Sequence, residues 1–454
     1  MGVIWAEQAL LPGGWAAGVT VTVADRRILS VAQAVQAPAG AHRVGLLLPA
    51  ATNLHSHGFQ RAMAGLTEAR GPDSADSFWT WRRQMYAFLG RLTPEDIQAI
   101  TAWAFVEMAE AGFAAVAEFH YLHHDSGGAP YADLAELSGR ICAAAAQTGL
   151  GLTLLPVLYM QGGCDGRALV AGQDRFGNSP DRFARLLEGA ERHATTLPGD
   201  TVVGVAPHSL RAVPPDALDW IARLRPGAPV HMHLAEQLAE VAEVQAHAGA
   251  RPVEWLLANA PVDARWCLIH CTQMERAETQ ALAATGAVAG LCPITESSLG
   301  DGIFDGVAWA GAGGRWGIGS DSNIRIAWTE ELRTLDYSQR LRDRSRAALA
   351  TADQSTGRVL VEGAVQGGAQ AAGRDAGRIE PGRLADLVAL DMSHPDMAGR
   401  RGDRALDTVI FARDDRLVRD VWSAGRHIVQ AGRHIARDPV TAAYRAAMGR
   451  LMEG

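Results

Sequence analysis

The sequence predicts an α/β protein built on a (β/α)8 TIM-like barrel, with a small β-sandwich domain assembled from the N- and C-terminal segments. Three observations predict it. Eight short apolar, β-branched runs recur along the middle of the chain, each ending near a polar residue. Their continuous apolar character, without strict alternation, fits strands covered on both faces of a parallel sheet. Helix-like segments separate them, whereas both ends of the chain carry short alternating runs rich in Val, Ala and Gly. The expected division is residues 1–48 for the first part of the small domain, 49–376 for the barrel, and 377–454 for the second part with a terminal helix.

In order, the runs are Val44–His57, Ala115–His120, Leu152–Leu158, Thr201–His208, Pro229–Glu236, Trp266–Cys271, Ala287–Cys292 and Arg315–Ser322. Between the first two, Thr93 can cap a helix opened by Pro94, with Asp96 completing an approximate capping box. Ile97, Ile100, Ala104 and Met108 follow at helical spacing, and Gly112 supplies the stop. After the last run, Thr329 starts another helical pattern through Leu332, Leu335 and Leu341. A doubly wound sheet, the competing α/β fold, would usually carry a Gly-rich phosphate loop after its first strand; here that strand ends in histidines.

The chain has 454 residues and needs no disulfide staple to bury a core. A net charge of -8 argues against a nucleic-acid partner. The longest apolar stretches, such as Val44–Ala51, fall far short of the ~18 residues of a membrane span. Met1–Leu11 contains Glu7 and no basic region ahead of an apolar one, so it does not read as a signal peptide. The five cysteines form no C-x-x-C pair, and reduced, buried thiols in a cytoplasmic protein are expected.

The chemistry is carried by the strand ends. His55 and His57 form an H-x-H, and residues i and i+2 of a strand face the same side. The pair alone is weak, because 15 histidines in 454 residues give roughly 0.5 such pairs by chance. Context strengthens it. The fifth run carries His231, His233 and Glu236, the sixth ends at His270, and the eighth carries Asp321. In a barrel these residues gather at the C-terminal mouth, where active sites are built. Three imidazoles and a carboxylate suit one divalent metal, Zn²⁺ first, which sets His55, His57, His233 and Asp321 as the expected ligands. Glu236, three residues past His233, is placed to shuttle a proton, although a glutamate there also suits an ordinary helix start. His270 could orient or deprotonate a water, or be a further ligand; His231 lies deeper and reads as structural.

These residues resemble the amidohydrolase superfamily, specifically its mononuclear deaminase branch. The tail Gly382-Arg-Leu-Ala-Asp-Leu-Val-Ala-Leu-Asp391 is similar to that superfamily's usual return into its β domain. The fourth run ends in His208 and not in the lysine carbamylated in binuclear members, which implies a single metal. Within the branch, the segments Asn53–Gly65, Phe78–Tyr86, Glu118–His124, Ala206–Arg211 and His231–Gln237 resemble the formimidoylglutamate deiminase family. The resemblance implies hydrolytic deimination of N-formimino-L-glutamate in histidine breakdown. It also implies a catalytic set of Glu236, His270 and Asp321, and Gln60, Arg82, Tyr121, His208 and Arg211 as holders of an anionic small-molecule substrate. Arginine's planar fork suits a carboxylate on chemical grounds alone. A zinc deaminase of a purine, pyrimidine or triazine ring is the alternative activity, and a non-catalytic metal-binding scaffold the alternative class. A homodimer is expected by symmetry statistics.

Overall fold

The computed structural model describes residues 2–68, 85–86 and 88–453. Eight parallel strand positions form the barrel: Ala51–Ser56, Phe113–His120, Gly151–Leu158, the broken pair Val202–Val203 and Ala206–Pro207, Val230–Leu234, Trp266–His270, Val288–Leu291 and Arg315–Ile318. The first four are hydrogen-bonded in sequence, as are the last four. Two parallel bridges close the ring, Val205 to Val230 and Ser56 to Asp321. Nearly every residue of these strands is buried, which is why their sequences read as unbroken apolar runs.

The expected run Val44–His57 is two strands, not one. His42–Pro49 belongs to the small sheet and Ala51–Ser56 to the barrel, with Ala50 between them donating its N–H to Asp386 at 3.0 Å. The helix Pro94–Ala111 has the anticipated start and stop. Thr93 accepts from the Asp96 amide, the Asp96 side chain answers the Thr93 amide, and Gly112 closes the helix at φ 104°. The second anticipated helix spans Trp328–Asp343.

Strands from both ends of the chain join in a single eight-stranded ladder beside the barrel. From one edge to the other it runs Arg433–His434, Arg426–Gln430, Val418–Ser423, Leu387–Leu390, His42–Pro49, Gly2–Leu11, Gly14–Ala24 and Arg27–Gln33. Alternation divides its side chains between two cores. Val388 and Leu390 pack into the barrel's core, while Leu387 and Ala389 join Ile4, Val21 and Val44 in a separate apolar cluster. The five cysteines are free thiols, and among the described residues no helix is long and apolar enough to cross a membrane.

Candidate metal centre and active site

Four of the anticipated residues meet at the barrel mouth. His55 lies in the first strand, His57 just beyond it, His233 in the fifth, and Asp321 three residues past the eighth. All four are buried, and one donor atom from each lies within 4.8 Å of the others. Asp321 Oδ1 is 3.1 Å from His57 Nε2 and 3.4 Å from His55 Nε2, and the Nε2 atoms of His55 and His233 are 3.1 Å apart.

Backbone contacts fix this set. The Asp321 amide donates to His55 O and the His57 amide to Asp321 O, both at 3.0 Å, so the eighth strand is stitched to the H-x-H. Asn323 donates to Ser56 Oγ at 3.1 Å and to His57 O at 3.0 Å, and Asn53 clasps Ser320 through both its amide atoms. Gly319 is required for this approach, because a Cβ there would stand 2.7 Å from His55 O. Left-handed backbone gathers at the same rim, with φ 50° at Ala235, 71° at His270, 45° at Asp321 and 55° at Asn323. Such strain in non-glycine residues concentrates where geometry serves chemistry.

The donor set fits a divalent cation. His57 Nδ1 lies 3.0 Å from Phe119 O, and His233 Nδ1 lies 3.1 Å from His208 O. Those contacts place the protons on Nδ1 and leave the Nε2 lone pairs converging on one space, an arrangement that a cation satisfies. Burial lowers His55 to about 3 and His233 well below the ordinary imidazole value, keeping both neutral.

Glu236 and His270 border this cluster. Glu236 is buried two residues ahead of the helix Leu238–Ala248; its side chain lines the pocket and is not a helix cap. Its backbone N–H is held by Glu240 Oε2 at 2.9 Å and its carbonyl by Thr272 Oγ1 at 2.6 Å. Burial, the largest influence, raises its pKa, with Glu240 and Asp321 adding to the rise and His270 opposing it. His270 Nε2 is 3.7 Å from Asp321 Oδ2 and 3.9 Å from Glu236 Oε1. Burial would lower His270, but the carboxylates of Glu236, Glu296 and Asp321 raise it well above the ordinary imidazole value.

Glu296 is a residue that sequence reasoning missed. Its Oε1 lies 3.2 Å from His270 Nδ1 and accepts the Cys292 amide at 2.8 Å. It therefore fixes the imidazole with Nε2 towards Asp321. Cys292 stands beside the pair, and burial pushes its thiol well up. The available signal was Glu296 in the first turn of Pro293–Leu299, which reads equally well as a helix-dipole carboxylate.

The pocket above the cluster is lined by Gln60, Tyr121, His208 and Arg211 of the anticipated substrate set, joined by Tyr86, Tyr159, Phe176 and Ser322. Gln60 donates to the Tyr121 hydroxyl at 2.7 Å. The His208 ring lies 4.9 Å from that of His233, and its Nδ1 meets Ser209 Oγ at 3.1 Å. Arg211 is buried; burial opposes its charge, while Glu240, Tyr159 and Glu236 support it. Arg82 lies outside the described residues. His231, read as structural, has its Nε2 2.7 Å from Ala371 O.

A barrel with a buried His-His-His-Asp cluster at its mouth and a carboxylate beside it defines a metal-dependent hydrolase. The amidohydrolase family model matches residues 46–428, and the chain belongs to that family. Residues 1–45 match the model described as formimidoylglutamate deiminase HutF, N-terminal domain. The chain is similar to the formimidoylglutamate deiminase of Pseudomonas aeruginosa, 47% identical with all of both chains covered. It is 27% identical to the 5-methylthioadenosine/S-adenosylhomocysteine deaminase of Natronomonas pharaonis over 86% of each chain. Among solved structures, an amidohydrolase from Brucella melitensis superposes with a TM-score of 0.96 at 50% identity over all of both chains. An adenosine deaminase from Xanthomonas campestris with bound zinc shares the fold, with a TM-score of 0.83 at 22% identity over 100% of this chain and 98% of that one.

Proposed function

We infer that this protein hydrolyses the formimino group of N-formimino-L-glutamate, giving N-formyl-L-glutamate and ammonia, with one zinc ion as its cofactor. One arrangement carries the reading: a single pocket joins the metal-capable cluster and Glu236 to Arg211, His208, Gln60 and Tyr121. The full-length similarity to a formimidoylglutamate deiminase supports the same substrate.

The substrate is linear and anionic. Arg211 supplies a fixed positive charge for a glutamyl carboxylate, and the Tyr121 hydroxyl and the Gln60 amide supply neutral donors. Arg82 belongs to this group by resemblance. Anchoring the carboxylates holds the formimino carbon over the four-residue cluster, and such positioning is worth several kcal/mol of barrier.

His55, His57, His233 and Asp321 would hold the zinc ion, which supplies Lewis-acid activation of water when bound. The chain moves the protons. Asp321 accepts the proton of the attacking water, with His270 steering that proton through Nε2. Glu236, its pKa raised by burial, protonates the imino nitrogen to an amino group. The proton taken up by Asp321 completes ammonia as the C–N bond breaks, and the hydroxyl proton of the tetrahedral adduct passes to Glu236 as the formyl C=O forms, restoring both carboxyl groups.

The experiment is ammonia release from N-formimino-L-glutamate by metal-analysed protein, with and without chelator, beside guanine, cytosine and adenosine. Chelator-sensitive release from the formimino substrate alone, with zinc bound in the barrel, is expected. Release from a ring substrate alone would overturn the substrate, and chelator-insensitive release would overturn the metal.

A further inference from the structure

We propose that His42, Asp420 and His427 form a second divalent-cation site, of zinc class, on the small sheet. His42 opens the strand His42–Pro49, while Asp420 and His427 lie on the neighbouring hairpin strands Val418–Ser423 and Arg426–Gln430. The site thus joins an N-terminal strand to C-terminal ones. His427 Nε2 is 2.8 Å from Asp420 Oδ1, and His42 Nε2 is 3.4 Å from Asp420 Oδ2. One donor atom from each residue lies within 4.8 Å of the others. A tetrahedral ion with metal–nitrogen bonds of ~2.0–2.1 Å has ligand-to-ligand edges of about 3.3 Å, comparable to the 2.8 and 3.4 Å that separate the two imidazole nitrogens from the Asp420 oxygens.

Two further features point to a ligand. Asp420 is 2% exposed, and its Oδ2 is held only by long contacts, to His42 at 3.4 Å and to Arg419 at 3.6 Å. A nearly buried carboxylate oxygen with no contact shorter than these has room for a closer cationic partner. The rings are also held in advance. His427 stacks on Trp422 at 4.5 Å and 16°, and His42 meets the edge of Trp422 at 5.4 Å and 79°. Ordering a binding group beforehand removes part of the entropy that binding would otherwise cost.

The other cation at hand is Arg419, whose Nε lies 3.6 Å from Asp420 Oδ2 on a side chain that is half exposed. It can leave to solvent as an ion enters. His42 is exposed, so an open coordination position faces water. Two imidazoles and one carboxylate favour Zn²⁺ and its neighbours over Ca²⁺ or Mg²⁺, which prefer oxygen donors. An ion here would tie the two ends of the chain together, and binding only the folded state raises its stability by mass action.

The test is equilibrium dialysis of the metal-loaded enzyme against Zn²⁺. Wild type is expected to hold two zinc ions per chain. His42→Ala and His427→Ala should each hold one and keep full ammonia release, since neither residue touches the barrel pocket. Added Zn²⁺ should raise the melting temperature of wild type but not of these variants. If His427→Ala unfolds because Trp422 loses its stack, Asp420→Asn keeps the packing and should also hold one. A single zinc ion in wild type, or a second ion that survives in every variant, would overturn the proposal.

Discussion

Glu236 and His270 share one wall of the pocket, yet different surroundings act on them. Burial raises the pKa of the glutamate, while neighbouring acidic side chains raise that of the imidazole. Replacing Glu236 by Gln retains the shape and removes the transferable proton. The expected result is a kcat lower by about 10²–10⁴, with zinc content unchanged. Glu296 acts one contact further out, through His270 Nδ1. For Glu296→Gln we expect kcat to fall by about 10–100-fold with KM nearly unchanged, because the residue orients His270 and is not a pocket-lining group. A rise in KM alone would show that it serves substrate binding instead. The metal cluster was legible in sequence because its members sit at strand ends, where a barrel's topology decides the direction of each side chain. Glu296 was not, because the packing of a short helix against its neighbouring strand decides whether its carboxylate reaches His270 or water.

At the scale of elements, the catalytic set depends on the seam between the first and eighth strands. Two reciprocal backbone hydrogen bonds and the Asn53 and Asn323 side chains close it. Gly319 lets the strands approach, since its would-be Cβ is 2.7 Å from one His55 backbone atom and 2.8 Å from another. Gly319→Ala should therefore push His55 out of register with His57 and Asp321. We expect substoichiometric zinc by metal analysis and a loss of about 1–3 kcal/mol in a thermal melt. Retention of full zinc would show that the seam tolerates the methyl group. Val44–Ala51 is apolar without a break, so its hydrophobic pattern does not change at Pro49, although the partners do. The first half pairs with strands from both ends of the chain and the second with the barrel. Pairing of that kind is set by residues far off along the chain, and local periodicity carries no trace of it.

Across the whole molecule, the barrel and the small sheet are joined by a buried ionic group as well as by apolar contact. Arg374 follows the helix Thr356–Ala371 and reaches Asp386 through Nε at 3.1 Å and Asp200 O at 2.8 Å. Arg426, from the small sheet, grips Asp200 at 2.7 and 2.8 Å. Asp386 opens the stretch that returns the chain to the small sheet, and its Oδ1 accepts the Ala424 amide at 2.6 Å. Arg374, Asp200 and Asp386 are almost wholly buried, so removing one member strands the others. Arg374→Met should cost about 3–5 kcal/mol by denaturant unfolding, as the loss of a partner in a buried pair does. The group also sets a pH dependence. Burial alone would raise the Asp200 carboxyl, but Arg426 and Arg374 outweigh it and hold the pKa below its ordinary value. The unfolded chain then binds a proton at a pH where the folded one does not. The contribution is therefore complete above the unfolded aspartate pKa of about 4, and is lost as the pH falls through the lower folded value. Wild-type stability should drop steeply with acid below about pH 4, and Asp200→Asn should flatten that limb of the curve. An unchanged acid limb in Asp200→Asn would assign the acid sensitivity to other carboxylates.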